Sequence, residues 1–222
     1  MTFSVKARPH ARSRSRTPCS PCSPDAPYLV VQEDEETDGA CHGHVLAGGD
    51  DADDDGAVGR SWWQFRPSTS SNPSTSSTLR PSQSTTYDGI EVSVRLIEEA
   101  VIEHRIDTIL GFSQGAAMAA YFCATQDVSR LGVKRMLAYA GFLPNDLRLA
   151  RQMLDRAPIS SDVVKTVWVA GTGDEMITAE RSRAAAEVFD DAVCYEHPGG
   201  HMVPTTRGEL KTLLADFLIT SV

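Results

Sequence analysis

From Tyr87 to the C-terminus the apolar positions recur with two alternating periods; before Tyr87 they do not. Tyr87 to Arg105 carries Ile90, Val94, Ile97 and Val101 three or four residues apart, which predicts an amphipathic helix. Short apolar runs follow near 107–111, 134–140, 164–171 and 192–196, each of strand length. Helical stretches near 114–126, 145–155, 179–189 and 206–219 separate and follow them. Strands that alternate with helices predict an α/β fold, a mostly parallel sheet with helices on both faces. Four strands make a small sheet for this class.

One junction in that pattern carries chemistry. Gly111-Phe112-Ser113-Gln114-Gly115 lies between the strand-like Ile106-Asp107-Thr108-Ile109-Leu110 and the helix-like Ala116-Ala117-Met118-Ala119-Ala120-Tyr121-Phe122. Strand, tight glycine turn bearing Ser, then helix is the context of a nucleophile elbow and makes the expected fold α/β-hydrolase-like. The glycines keep side chains clear of the strand and helix, and the turn strains the serine while exposing its hydroxyl. The following helix would aim its N-terminus, and the backbone N–H of Gln114, at a developing oxyanion. An ordinary strand–turn–helix link is the alternative.

A nucleophilic serine needs a base, and the base an orienting carboxylate, in the chain order Ser, Asp, His for this architecture. The strand Val163–Ala170 runs into Gly171-Thr172-Gly173-Asp174-Glu175, which puts an acid on the same sheet edge as the elbow. Asp174 is the expected orienter; Glu175 competes locally, and a turn or cap role for Asp174 is the alternative. After Ala192–Glu196 come His197-Pro198-Gly199-Gly200-His201, whose two glycines let a loop return His201 to Ser113. His197 is the rival base, though its place at the strand end before a proline suits capping or packing. His10, His42 and His44 lie in polar tail sequence, and His104 suits a helix C-terminus. In the mechanism this predicts, His201 takes the Ser113 proton, the serine attacks an ester or thioester carbonyl, and Asp174 steadies the imidazolium. Water then releases the acyl group. No metal or organic cofactor is implied.

Composition changes the picture mainly at the N-terminus. Of 222 residues 41% are hydrophobic, and the deficit falls before residue 87. Residues 1–24 hold Lys6, Arg8, Arg12, Arg14 and Arg16 and no acid, which predicts a basic, Ser/Pro-rich disordered tail or, alternatively, a mitochondrial presequence. Residues 33–55 concentrate acids among glycines, a self-repelling run that predicts a solvated loop and accounts for much of the net charge of −9. Acid surface argues against a nucleic-acid partner. Pro67 to Thr86 is Ser/Thr/Pro-rich and reads as a flexible linker. No apolar stretch approaches a membrane span. Five cysteines, an odd number, suggest a reducing compartment, hence the cytoplasm. Cys123 and Cys194 are expected to be buried thiols. Cys19, Cys22, Cys41, His42 and His44 form a weak alternative zinc set.

The motifs resemble a known family. Gly111-Phe112-Ser113-Gln114-Gly115-Ala116-Ala117, Tyr139-Ala140-Gly141-Phe142 and His197-Pro198-Gly199-Gly200-His201-Met202-Val203-Pro204 look like segments of the FSH (family of serine hydrolases) domain. That is an α/β-hydrolase group related to the ovarian-tumour-suppressor-candidate serine hydrolases. Asp25-Ala26-Pro27-Tyr28 and Trp62-Trp63 are similar to its segments ahead of the elbow. The resemblance covers 25–31 and 60–66 as islands inside an interrupted region 25–86, and 87–222, the expected catalytic domain, almost continuously.

It implies a soluble hydrolase of small acyl esters or thioesters with Ser113, Asp174 and His201 as triad. Trp62, Trp63 and Phe112 would face the substrate, simple core packing being the other reading of the tryptophans. Family members open with an apolar strand ending in a Leu-His-Gly turn, which supplies a central strand and a second oxyanion amide. Nothing before Pro27 matches it, so an N-terminally truncated or degraded copy is expected. A weakly active binding module is one alternative function, and an acyl-protein thioesterase or lysophospholipase another. Oligomeric state is not legible.

Overall fold

Alternation along the strands builds two apolar layers, one on each side of the main sheet. The structure, a computed structural model, describes residues 28–31, 61–65 and 85–219. In chain order the strands are β1 (Tyr28–Val31), β2 (Gln64–Phe65), β3 (Tyr87–Asp88), β4 (Thr108–Phe112), β5 (Arg135–Tyr139), β6 (Lys165–Gly171) and β7 (Val193–His197). The helices are α1 (Ile90–His104), α2 (Gln114–Thr125), α3 (Val128–Leu131), α4 (Leu147–Leu154), α5 (Ala179–Ala186) and α6 (Gly208–Ile219). Five strands form a parallel sheet in the order β1-β4-β5-β6-β7, and β2 pairs antiparallel with β3.

Ile109, Met136, Ala138 and Trp168 face one way, into a core shared with Ile97 and Val101 of α1, the alanines of α2, Leu149 and Met153 of α4 and Ala185 of α5. The residues between them, Leu137, Tyr139, Val167 and Val169, face the other way, under Leu210, Leu214 and Phe217 of α6. Each fully buried aliphatic side chain of this kind contributes about 1.5–3 kcal/mol. Arg135, buried at the start of β5, fastens α6 by donating from Nε to the Phe217 carbonyl at 3.1 Å. Because the strands are parallel, β4, β5, β6 and β7 all end at one edge, and Ser113, Gly141, Asp174 and His201 lie just past those ends.

Several expectations need correction. The sheet has five strands, not four: Tyr28-Leu29-Val30-Val31 pairs with the elbow strand, Val31 opposite Gly111. Tyr87 and Asp88 belong to a strand, and the helix begins only at Ile90, after Gly89 at φ 85°. The inner face of α1 takes Ser93, with Val94 only half-buried, because Ser93 Oγ donates to the Trp62 carbonyl. Helix α5 stops at Ala186, not 189, and the one-turn α3 was not foreseen. Cys194 is exposed rather than buried, because β7 closes the sheet as an edge strand. The basic tail, the Leu-His-Gly question, the acidic run, the Ser/Thr/Pro linker and the alternative zinc set lie outside the described residues.

Candidate active site

Ser113 takes φ 52° and ψ −119°, a conformation costly for a residue with a side chain. Missing side chains allow it. A Cβ on Gly111 would lie 2.5 Å from both the Ala116 Cα and the Gly115 carbonyl, so β4 and α2 can touch only over a glycine. A Cβ on Gly141 would lie 2.7 Å from the Trp168 ring. The Ser113 N–H donates to the Tyr139 carbonyl at 2.9 Å, which ties the turn to β5. Its hydroxyl does not cap α2. Gln114 begins α2, and the first N–H groups of a helix have no partner within it, so the Gln114 amide stands at the positive end of the helix beside Ser113.

The three residues singled out in the sequence come together here. Ser113 Oγ lies 2.9 Å from His201 Nε2, and His201 Nδ1 lies 2.7 Å from Asp174 Oδ2. The Asp174 side chain is wholly buried. Its other oxygen accepts from the N–H groups of Met176 and Ile177, each at 2.8 Å, so a charge held out of water is met by three donors. An ionised carboxylate only accepts, which puts the ring hydrogen on Nδ1 and leaves Nε2 to accept from the serine. Phe112 is half-buried and stands against the His201 ring, centroids 4.9 Å apart. Glu175, the local competitor, is exposed.

The loops carrying base and acid are bonded to each other. Thr172 N–H donates to the His197 carbonyl at 2.8 Å, and Gly173 N–H to that of Gly199 at 3.1 Å. Gly171 lies so close beneath that a Cβ there would sit 2.4 Å from the Gly199 oxygen. His197 is buried at the end of β7, and its Nδ1 accepts from the Gly199 N–H.

The side chain of Gln114 has a part that sequence reasoning missed. It is 2% exposed; its Oε1 accepts from the Trp62 N–H at 2.8 Å and its Nε2 donates to the Trp63 carbonyl at 3.4 Å. Trp62 and Trp63 are buried in the main core, and Trp63 stacks on Tyr87 with ring planes 9° apart and centroids 4.8 Å apart. Burial pushes the Tyr87 phenol up. Its N–H donates to Asp146, whose carboxyl burial would raise but which hydrogen bonds from Arg148 and from the Tyr87 amide hold below the ordinary range. The tryptophan pair therefore reaches the elbow through Gln114, across 52 and 51 residues of sequence. Nothing in a local motif announces such a partner, because the tryptophans are distant in sequence.

Elsewhere, burial pushes the Cys123 thiol up to about 12, which leaves it protonated and unreactive at neutral pH. Among the described residues no three His, Cys, Asp or Glu side chains converge as metal ligands, and no helix is long and apolar enough to cross a membrane.

Comparison with known proteins gives the family. The profile of a family described as serine hydrolase (FSH1) matches residues 2–213, a span that takes in N-terminal residues the motifs left out. Esterase OVCA2 of Xenopus tropicalis is 31% identical over 189 residues, covering 84% of this chain and 73% of its own. Esterase OVCA2 of Danio rerio is 33% identical over 134 residues, 59% of this chain and 57% of its own. The Homo sapiens esterase OVCA2 is 32% identical over 132 residues, 57% of this chain and 56% of its own. The chain thus spans little more than half the length of the last two.

Proposed function

We propose that this chain, which belongs to the serine hydrolase (FSH1) family, hydrolyses small carboxylic esters or thioesters through an acyl-enzyme on Ser113. One observation carries the reading: the unbroken chain from Ser113 Oγ through both His201 nitrogens to Asp174, anchored on a strained serine. His201 Nε2 removes the hydroxyl proton as Ser113 Oγ attacks the acyl carbonyl. The carbonyl oxygen becomes an oxyanion and takes a hydrogen bond from the Gln114 N–H, at the positive end of α2. Asp174 steadies the imidazolium, which then protonates the leaving alcohol or thiol. Water, deprotonated by the same His201, cleaves the acyl-enzyme. Phe112, beside the imidazole, bounds the acyl side.

The test is fluorophosphonate labelling and nitrophenyl-ester hydrolysis by the full chain beside Ser113→Ala. The variant is expected to lose the label and about 10³-fold or more in kcat with its melting temperature retained. Equal hydrolysis by both proteins would remove Ser113 from the mechanism. A folded wild-type chain without label or turnover would favour a binding module. Paired oxygen and sulfur esters of one acyl group then separate esterase from thioesterase.

A further inference from the structure

The loop that presents His201 is itself built on a second histidine. Gly199 N–H donates to His197 Nδ1 at 3.1 Å. An imidazole nitrogen that accepts carries no hydrogen, so this bond requires the neutral ring with its hydrogen on Nε2. The His197 carbonyl accepts from Thr172 twice, from N–H at 2.8 Å and from Oγ1 at 3.3 Å. One residue therefore grips the Asp174 loop with its main chain and its own loop with its ring. Pro198 has no N–H to offer, which makes Gly199 the first amide of the turn that can be held. The Gly199 carbonyl completes the join by accepting from Gly173. The fit is close: a Cβ on Gly199 would lie 2.9 Å from Nδ1. Two residues further on, His201 meets both Ser113 and Asp174.

Resting on the hydrolase reading above, we propose that His197 is a positioning residue, whose Nδ1 holds the Gly199 amide and so sets the His201 ring against Ser113 Oγ. It touches no substrate; it acts through the loop. The acceptor matters, not the bulk of the ring. A buried aromatic of the same size would fill the space and leave the amide unheld, with His201 displaced from its proton-transfer distance.

Three variants of the full chain separate acceptor from volume. His197→Asn puts an amide oxygen where Nδ1 sits, two bonds beyond Cβ. His197→Gln carries its acceptor one bond too far, and His197→Phe has none. On a short nitrophenyl ester, the Phe and Gln variants are expected to lose about ten- to a hundredfold in kcat. Their KM stays within about threefold, because substrate contacts are untouched. His197→Asn is expected to stay within about fivefold of wild type in kcat. Wild-type kcat in the Phe variant, or an Asn variant as slow as Phe, would overturn the proposal. If the Phe variant does not fold, the contrast between Gln and Asn decides by the same criterion.

Amide exchange at Gly199, read by NMR, needs no turnover. Protection in wild type and Asn with fast exchange in Gln supports the positioning role; equal exchange in all overturns it. A wild-type chain that neither takes the fluorophosphonate label nor turns over strikes the hydrolase reading instead, and the exchange result still stands.

Discussion

The elbow and the loop pair facing it are held by different physics. Ser113 is fixed by contact: β4, α2 and the strand end at Gly141 crowd together until only glycine fits at 111 and 141. Part of that information is contiguous with the serine, from β4 into the first turn of α2; Tyr139, Gly141 and the two tryptophans bonded to Gln114 supply the rest from farther along the chain. Asp174 and His201, 27 positions apart in sequence, are fixed by exchange of main-chain hydrogen bonds between their two loops. Such a join holds only when both loops are present and aligned. The nucleophile is therefore the locally robust part of the site, and the proton relay is the cooperative part.

Substitutions can break that contrast, in descending order of effect. Gly111→Ala drives a methyl against backbone atoms that cannot turn aside, and is expected to cost on the order of 3 kcal/mol or more in denaturant unfolding. A melting temperature unchanged from wild type would show that the elbow yields more easily than its contacts imply. Gly171→Ala places its methyl 2.4 Å from the Gly199 oxygen and 2.5 Å from that of Gly200, yet those atoms belong to a loop that can lift. Its expected signature is the opposite: about a hundredfold loss in kcat with roughly 1–2 kcal/mol of stability lost. Comparable losses of stability in both glycine variants would erase the distinction between the regions. Gln114→Met keeps the volume and the backbone N–H but removes two hydrogen bonds to the tryptophan segment. A loss of about 1–2 kcal/mol and a red shift of tryptophan emission are expected, and no change in either would make the elbow self-contained.

Legibility in the sequence followed the same division. The elbow could be read because strand, glycine turn and helix are contiguous from 106 to 122 and each has its own period. Asp174 and His201 could be read because parallel strands deliver their following loops to one edge, so chain order substitutes for distance. Gln114's side chain was invisible because its partners, Trp62 and Trp63, approach only in three dimensions. Tyr28–Val31 escaped as a strand because four residues among prolines and acids make too short a run to show a period. Tyr87 was absorbed into the helix because it extends the apolar pattern backward, whereas the chain turns at Gly89. Cys194 was misplaced because its position in the sequence does not say whether β7 has a neighbour on both sides.

Helix α2 has one more consequence. Every residue from Gln114 to Ala124 is buried, so its amides have no route to solvent short of opening the core around them. Regions so enclosed exchange their hydrogens only through global unfolding, while loops open on their own. Warming should therefore inactivate the molecule in two stages. Reversible loss begins where Asp174 and His201 are carried, well below the melting transition; permanent loss waits until the helix behind the serine comes apart with everything else.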